Sequence, residues 1–487
     1  ATPAAAVPAA GVPMATVHTD LYKAEISAQG GDLIYLELEK HRATLDKDKN
    51  FVLFQNDPTH HVYIGQSGLI GDGLPNHKTL FSLEKSEYTL AEGQDSVSVR
   101  LTAPAANGVK VSKIYTFKRG SYLVDVSYEI NNAGANPVSP YAYFQILRDG
   151  KSPDAHSHGP FGVTTFTGPA LYTEAEKYQK VSFADIDKDK ASYVHKANNG
   201  WIGLVQHYFF SAWLPQGNVE REFYVDKLNS ELYRAGVKFP LATVAPGQTA
   251  KVDVPLYAGP QEQDKLLAIA PGLDHVVDYG RLTIIAAPLF WVMEKLHSVI
   301  GNWGWTIIAL TILLKLMFFP LSATSYRSMA KMRKVMPQLT RIKEAHKDDK
   351  ARMNQEMMEF YKREKINPLG GCLPVVVQIP VFIALYWVLL GTVQIRNAPW
   401  LGWITDLSVQ DPYYVLPVLM GITMFFQTRL NPTPPDPMQA KIMTWMPIAF
   451  SIMFLWFPAG LVLYWTVNNL LSITQQWYVM RRMEQQG

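Results

Sequence analysis

The sequence predicts two materials in one chain: an all-β domain, then an all-α polytopic membrane domain of five transmembrane helices carrying a helical hairpin. Three observations predict this. Residues 17–280 alternate apolar and polar side chains in short runs separated by turn clusters. Residues 301–487 hold five apolar runs, near 302–322, 372–390, 413–427, 442–457 and 461–480. Charge divides at the same place, with a net −6 over residues 1–280 and +9 over 281–487.

Residues 1–16 open as ATPAAAVPAAGVP, an Ala/Pro-rich linker. The expectation is that it led from an N-terminal anchor helix or a removed signal segment, because the topology below puts the β-domain outside the cytoplasm. In residues 17–280, Val124, Val126, Tyr128 and Ile130 point one way while Asp125, Ser127 and Glu129 point the other. Lys118-Arg119-Gly120-Ser121 reads as a hairpin turn between that strand and Ile114–Phe117. Similar runs occur at Leu33–Leu38, Val97–Leu101, Trp201–Trp213 and Val252–Tyr257, and Gln261–Ala270 reads as one helix. Many short strands with regular turns suggest an antiparallel sandwich.

Chemistry is sparse in this domain. Asp154, His156 and His158 lie close together and His60-His61 forms a second pair, but neither set offers a third ligand at a telling spacing. They read as solvated loop residues, and no metal, cofactor or catalytic role is expected. No phosphate-cradling loop or nucleophile motif appears. The one cysteine, Cys372, excludes an intrachain disulfide. The modest net charge of +3, without basic tracts, argues against a nucleic-acid partner.

Residues 281–300 carry a helical stripe of Leu289, Val292, Met293, Leu296, Val299 and Ile300, with Glu294, Lys295 and His297 off it. This is the pattern of a helix lying in a membrane interface, or of an ordinary amphipathic packing helix. The first span, Asn302–Ser322, is interrupted by Lys315. A lysine inside a span costs roughly 2.5–3.5 kcal/mol on insertion scales, so one retained there points to function. Its ammonium can snorkel to an interface. It can instead sit in a wet, protein-lined cavity, the favoured reading because Thr311 faces the same way one turn earlier.

The later spans are short and interrupted by Pro374, Pro380, Pro417 and Pro447. Among their polar residues, Thr423 and Ser451 read as helix-to-helix hydrogen bonders. Gln378 and the Asn468-Asn469 pair suit that role and the lining of a hydrated groove equally. The loop over residues 323–370 holds 12 Lys+Arg against 6 Asp+Glu, while Thr392–Pro412 holds only Arg396. The positive-inside rule therefore puts 323–370 in the cytoplasm and residues 1–280 outside. The cytoplasmic segment reads as two antiparallel helices broken at Asp348-Asp349. Met329, Met332, Met336, Met353, Met357 and Met358 suit either adaptable contact with apolar partners or the seam of the hairpin.

Taken together these residues resemble the YidC family of bacterial membrane-protein insertases, in the wider Oxa superfamily. The stretches that carry the resemblance are Ile300–Gly304, Ser328–Met332, Asn367–Cys372, Gln378-Ile379-Pro380, Asp406-Leu407-Ser408, Asp411–Tyr414 and Phe457–Leu461. The first domain is similar to the periplasmic β-supersandwich of Gram-negative members, itself like sugar mutarotases without their activity. The resemblance implies an insertase and chaperone in the inner membrane, without covalent chemistry. It implies a hydrophilic groove open to cytoplasm and lipid, with Lys315, Thr311, Gln378, Asn468, Asn469 and Tyr464 lining it. Many members carry arginine where this chain has Lys315, and a second tyrosine is frequent where it has Trp465. The hairpin, with Met329, Met332, Met336, Asp348, Asp349 and Met357, is implied to receive substrate. Substrate helices are expected to leave past 372–390 and 442–457. Implied partners are nascent membrane proteins, the lipid bilayer, the ribosome and the Sec translocon. A small-solute transporter using Lys315 as counter-charge is the rival reading, though no second copy of the Lys315 span appears. A membrane-anchored periplasmic sugar enzyme rests on fold analogy alone.

Overall fold

A computed structural model describes the chain except residues 1–6, 10, 44–45, 152–164, 229–230, 278, 365–372, 431–436 and 486–487. Asp154, His156, His158, Cys372 and the Asn367–Cys372 motif lie outside the described residues. The chain divides into two compact units, with the boundary between Val277 and Asp278.

In the first unit the described residues form a ten-stranded and a nine-stranded sheet. Pairing is antiparallel except where Glu87–Thr89 runs parallel to Met14–His18 at an edge. The strand at Leu123–Asn132 lies between Val109–Lys118 and Thr249–Pro260. Val124, Val126, Tyr128 and Ile130 are all fully buried, as their alternation predicts. The turn between Lys118 and Leu123 places Gly120 at φ 67°, a conformation that costs glycine little. The run Trp201–Trp213 is not one strand. It folds back as a hairpin of Trp201–Val205 and Phe209–Trp213, with Gln206, His207 and Tyr208 connecting two buried strands whose polar side chain is Ser211. Two helices, α1 (Phe183–Asp187) and α2 (Gln263–Ile269), complete the unit.

The β core holds a chain of buried polar groups. Gln66 donates to Asp32 at 2.8 Å, Gln145 donates to Gln66 at 3.0 Å, and Tyr224 donates to Gln145 at 2.9 Å. Lys113, fully buried, donates to the Gly30 carbonyl at 3.1 Å. Burial pushes the Asp32 carboxyl up to about 7, against the opposing pull of Lys113. Burial also pushes the Lys113 ammonium down to about 8, against the pull of Asp32.

The second unit is helical. It comprises α3 (Thr283–Ile300), α4 (Trp303–Met317), α5 (Phe319–Ala345), α6 (Lys350–Arg363), α7 (Leu373–Gly391), α8 (Val415–Leu430), α9 (Pro437–Met453) and α10 (Ala459–Glu484). Among the described residues α3 alone is long and apolar enough to cross a bilayer as one straight helix. The stripe read in α3 is only partly covered: Leu289 and Met293 are buried, Val299 and Ile300 exposed. The stretch expected as one span, 302–322, holds a break: the chain bends by 65° between α4 and α5. Pro320 sits in the first turn of α5, where its missing N–H costs nothing, and α5 then runs unbroken through the start of the hairpin. Outward faces of these helices are apolar. Leu316, Phe426 and Trp445 are each about 60% exposed, and Val376, Val418, Ile448 and Ile452 about half. Such a belt is stable against hydrocarbon and not against water.

The Asp32 carboxyl yields a test. Its folded-state value lies above its unfolded one, so its contribution is full below about 4 and is lost as pH rises through about 7. The urea midpoint of the β unit, followed by sheet circular dichroism on the full chain, should fall between pH 4 and pH 7. Asp32→Asn, which mimics the protonated carboxyl, should flatten that fall; an equally steep fall in the variant would assign it to other groups.

Candidate functional site: a polar cavity among apolar helices

Lys315 lies in the last turn of α4, where a cation meets the negative end of the helix dipole. Because α4 stops at Met317, the Lys315 carbonyl lacks a helical partner, and Gln475 of α10 donates to it at 3.3 Å. The Lys315 Nζ donates to Ser472 Oγ at 2.6 Å. Lysine and serine are both buried, with 8% and 3% exposure. Lys315 therefore does not snorkel; its ammonium is held inside the protein.

Tyr464, Asn468, Ser472 and Gln476 recur every four residues and form one polar stripe on α10. Gln378 of α7 donates to Asn468 Oδ1 and, at 3.4 Å, to the Tyr464 hydroxyl. Asn469 is turned aside and donates to Thr423 of α8 at 3.4 Å. Ser451 of α9 donates to the Pro417 carbonyl at 3.0 Å, the helix-to-helix role expected of it. Thr311 donates to the Ile307 carbonyl at 2.7 Å within its own helix and keeps its methyl for the cavity wall.

These groups bound two adjoining spaces. A small one of about 20 Å³ is lined by Thr311, Lys315, Gln378, Tyr464 and Asn468 among others. A larger one of about 220 Å³ is lined by Lys315, Gln378, Asn468, Asn469, Ser472 and Gln476, with Ser322, Ser325, Tyr326 and Met329 of α5 and Met424, Gln427 and Thr428 of α8. The second space also has Ile379, Phe382, Met446 and Trp465 in its lining, and it is large enough for several waters. All six residues singled out from the sequence thus reach the two cavities. Sequence reasoning missed Ser472, Ser322, Ser325 and Gln427; the four-residue spacing from Asn468 was the signal for Ser472.

One part of the larger cavity's wall is aromatic, with Phe382 and Trp465 in its lining. Phe382 packs edge-on against Trp465 at 4.6 Å, and Phe454 meets Phe457 at 5.0 Å. The 392–414 segment is fastened across the ends of three helices. Asp411 accepts from Trp403 Nε1 at 2.9 Å and from Leu416 N at 2.8 Å, capping α8. The first amides of α10, Ala459 and Gly460, donate to Val409 and Leu407 carbonyls at 2.7 and 2.9 Å. Asn302 caps α4 through Trp305 N and donates to the Pro399 carbonyl at 3.0 Å. Lys315 lies roughly 18 Å along α4 from this fastened end.

In the hairpin, Asp349 caps α6 by accepting from Arg352 N at 3.0 Å, while Asp348 is exposed. Among the described residues of the hairpin past Tyr326, the buried ones are Leu339 and Phe360, and Met332, Met336, Met353 and Met357 are half-buried. Met329 packs on Ala323, Tyr326 and Val479. Met358 is 54% exposed. Among the described residues no cluster of three or more His, Cys, Asp or Glu could hold a metal ion. His61 instead pairs with Asp149 at 2.9 Å.

Comparison with known proteins decides the family. Residues 14–292 match the family described as "YidC periplasmic domain", and residues 295–486 match "60Kd inner membrane protein". The chain belongs to the YidC family. A membrane protein insertase YidC of Aromatoleum aromaticum is 63% identical over 98% of this chain and 86% of its own length. The YidC insertase of Dechloromonas aromatica is 54% identical over 100% of this chain and 88% of its own. A solved structure described as an active YidC insertase, with its first transmembrane domain resolved, is 18% identical, with a TM-score of 0.42, covering 96% of this chain and 95% of that one. As a YidC family member the chain is a bacterial inner-membrane protein with a periplasmic β-domain, and its family is not enzymatic.

The fastened end of the YidC helical unit makes one prediction. A Cβ on Gly304 would lie 2.1 Å from the Trp400 ring. Gly304→Val should destabilise the helical unit by about 1–3 kcal/mol, lowering its melting temperature in detergent, and Trp400→Ala should partly restore it. A variant melting with the parent would show that Trp400 moves aside freely.

Proposed function

We propose that this chain inserts nascent inner-membrane proteins, and assists their folding, through a hydrophilic groove open to the cytoplasm and to lipid and closed toward the periplasm. The observation that carries the reading is a lysine held in a polar cavity inside an otherwise apolar helical unit, with one hydrogen-bond acceptor at its ammonium among the described residues. The five spans are α4 with the start of α5, α7, α8, α9 and α10, and α3 lies in the membrane interface. The 392–414 segment closes the periplasmic side. The hairpin of α5 and α6 lies in the cytoplasm and receives the client, and the client helix leaves for lipid past α7 and α9. Ribosomes and the Sec translocon are partners. No covalent step is needed: the groove lowers the cost of carrying a short polar tail through hydrocarbon.

The ammonium acts by attraction. In surroundings of lowered dielectric it draws a carboxylate more strongly than it would in water, and so offsets part of the desolvation of an acidic tail. Insertion of one client bearing acidic or neutral tails tests this, with insertase levels held equal. Lys315→Arg should keep the acidic-to-neutral ratio. Lys315→Ala should lower it roughly three- to tenfold, and Lys315→Glu further. If Lys315→Glu inserts the acidic client as well as the parent does, charge attraction is not the mechanism.

The hairpin has its own test. Residues 323–370 carry a net +6, and Ser325, Tyr326 and Met329 near their start line the larger cavity. Deleting 327–363 should abolish client insertion while circular dichroism still reports folded membrane helices. Insertion at the parental rate would leave the hairpin only a determinant of topology.

A further inference from the structure

The stripe on α10 does more than line a cavity. Ser472 Oγ donates to the Asn468 carbonyl one turn back, at 2.8 Å. That bond fixes the hydroxyl's rotamer and turns its lone pairs away from the helix. Lys315 Nζ approaches on that side at 2.6 Å. Three positions later, Gln475 holds the backbone carbonyl of the same lysine. Helix α10 thus grips Lys315 at both its backbone and the tip of its side chain.

An unheld lysine would behave differently. Its four-carbon stem carries substantial rotamer freedom, and an ammonium has three donors with no preferred fork. Anchored by one donor, it keeps the other two for the cavity, with no further hydrogen-bond partner among the described residues. A client carboxylate then meets a cation already in place, and little ordering remains to be done on binding.

We infer that Ser472 is the positioning residue for the groove cation: its hydroxyl holds the Lys315 ammonium so that its free donors face the polar cavity, and this sets the preference for acidic client tails. The inference rests on the reading of Lys315 given above. Ser472 does not itself touch the client carboxylate; it acts through the lysine. Threonine can make the same bond back to the Asn468 carbonyl and offer the same lone pairs. Alanine can do neither.

The test uses the full chain in membranes, with the same client carrying acidic or neutral tails and insertase levels held equal. Ser472→Ala should lower the acidic-to-neutral insertion ratio roughly three- to tenfold, about the net worth of one ordinary hydrogen bond. Ser472→Thr should restore it. In a Lys315→Ala background, Ser472→Ala should lower the ratio no further. The inference is overturned if Ser472→Ala leaves the ratio at the parental value, if Ser472→Thr behaves as the alanine variant, or if Ser472→Ala lowers the ratio equally without the lysine. A Lys315→Ala variant that keeps the parental ratio would instead overturn the underlying charge reading, so the two failures are distinguishable.

Discussion

An ammonium among apolar helices has to be hydrogen-bonded where it sits, and the polar part of the helical unit is arranged around that requirement. Helix α4 ends two residues after Lys315. The end places the cation in the favourable last turn but leaves carbonyls without helical partners. A continuous helix would have satisfied the Lys315 carbonyl internally and left Gln475 with nothing to do there. The bend of 65°, the carbonyl taken by Gln475 and the ammonium taken by Ser472 are three consequences of one break in the chain.

The two ends of the helical unit solve opposite problems. At the lysine end, polar groups from α4, α5, α7, α8 and α10 line one space and also bond one another, as Lys315 does with Ser472 and Gln378 with Asn468. At the other end, polar groups are spent on backbone. Asp411, Asn302 and the carbonyls of Leu407 and Val409 satisfy helix N-termini that would otherwise present bare amides. Four of the seven stretches that carry the family resemblance, Ile300–Gly304, Asp406-Leu407-Ser408, Asp411–Tyr414 and Phe457–Leu461, fall among or beside these fasteners. Sequence likeness there records how the fastened end is built.

Much of this was legible in the chain. Period-two alternation gave Leu123–Asn132 its buried face. Lys315, Gln378 and Asn468 stood out because polar residues in apolar runs are expensive. Ser472 did not, since a serine in a membrane helix is cheap and usually bonds its own backbone. Its role depends on the lysine of another helix some 157 positions away in sequence, a relation no local pattern contains. The hairpin at Gln206–Tyr208 was invisible for a related reason: both strands are buried on both faces, so neither alternates. The break at Phe318 was missed because Pro320 can start a helix as well as kink one, and only packing decides which.

The choice of lysine follows the same logic. The family resemblance leads one to expect arginine in many members, and a guanidinium brings five donors in a rigid fork. Buried here, it would find Ser472 and little else fixed in place, so several donors would depend on water or client. Lysine asks for less. One donor is held by a hydroxyl whose direction α10 already sets, and two remain for whatever enters the cavity. The geometry trades bidentate recognition of a single carboxylate for a positioned point charge. On the reading proposed above, a positioned point charge rewards negative charge in a client tail without demanding a particular shape.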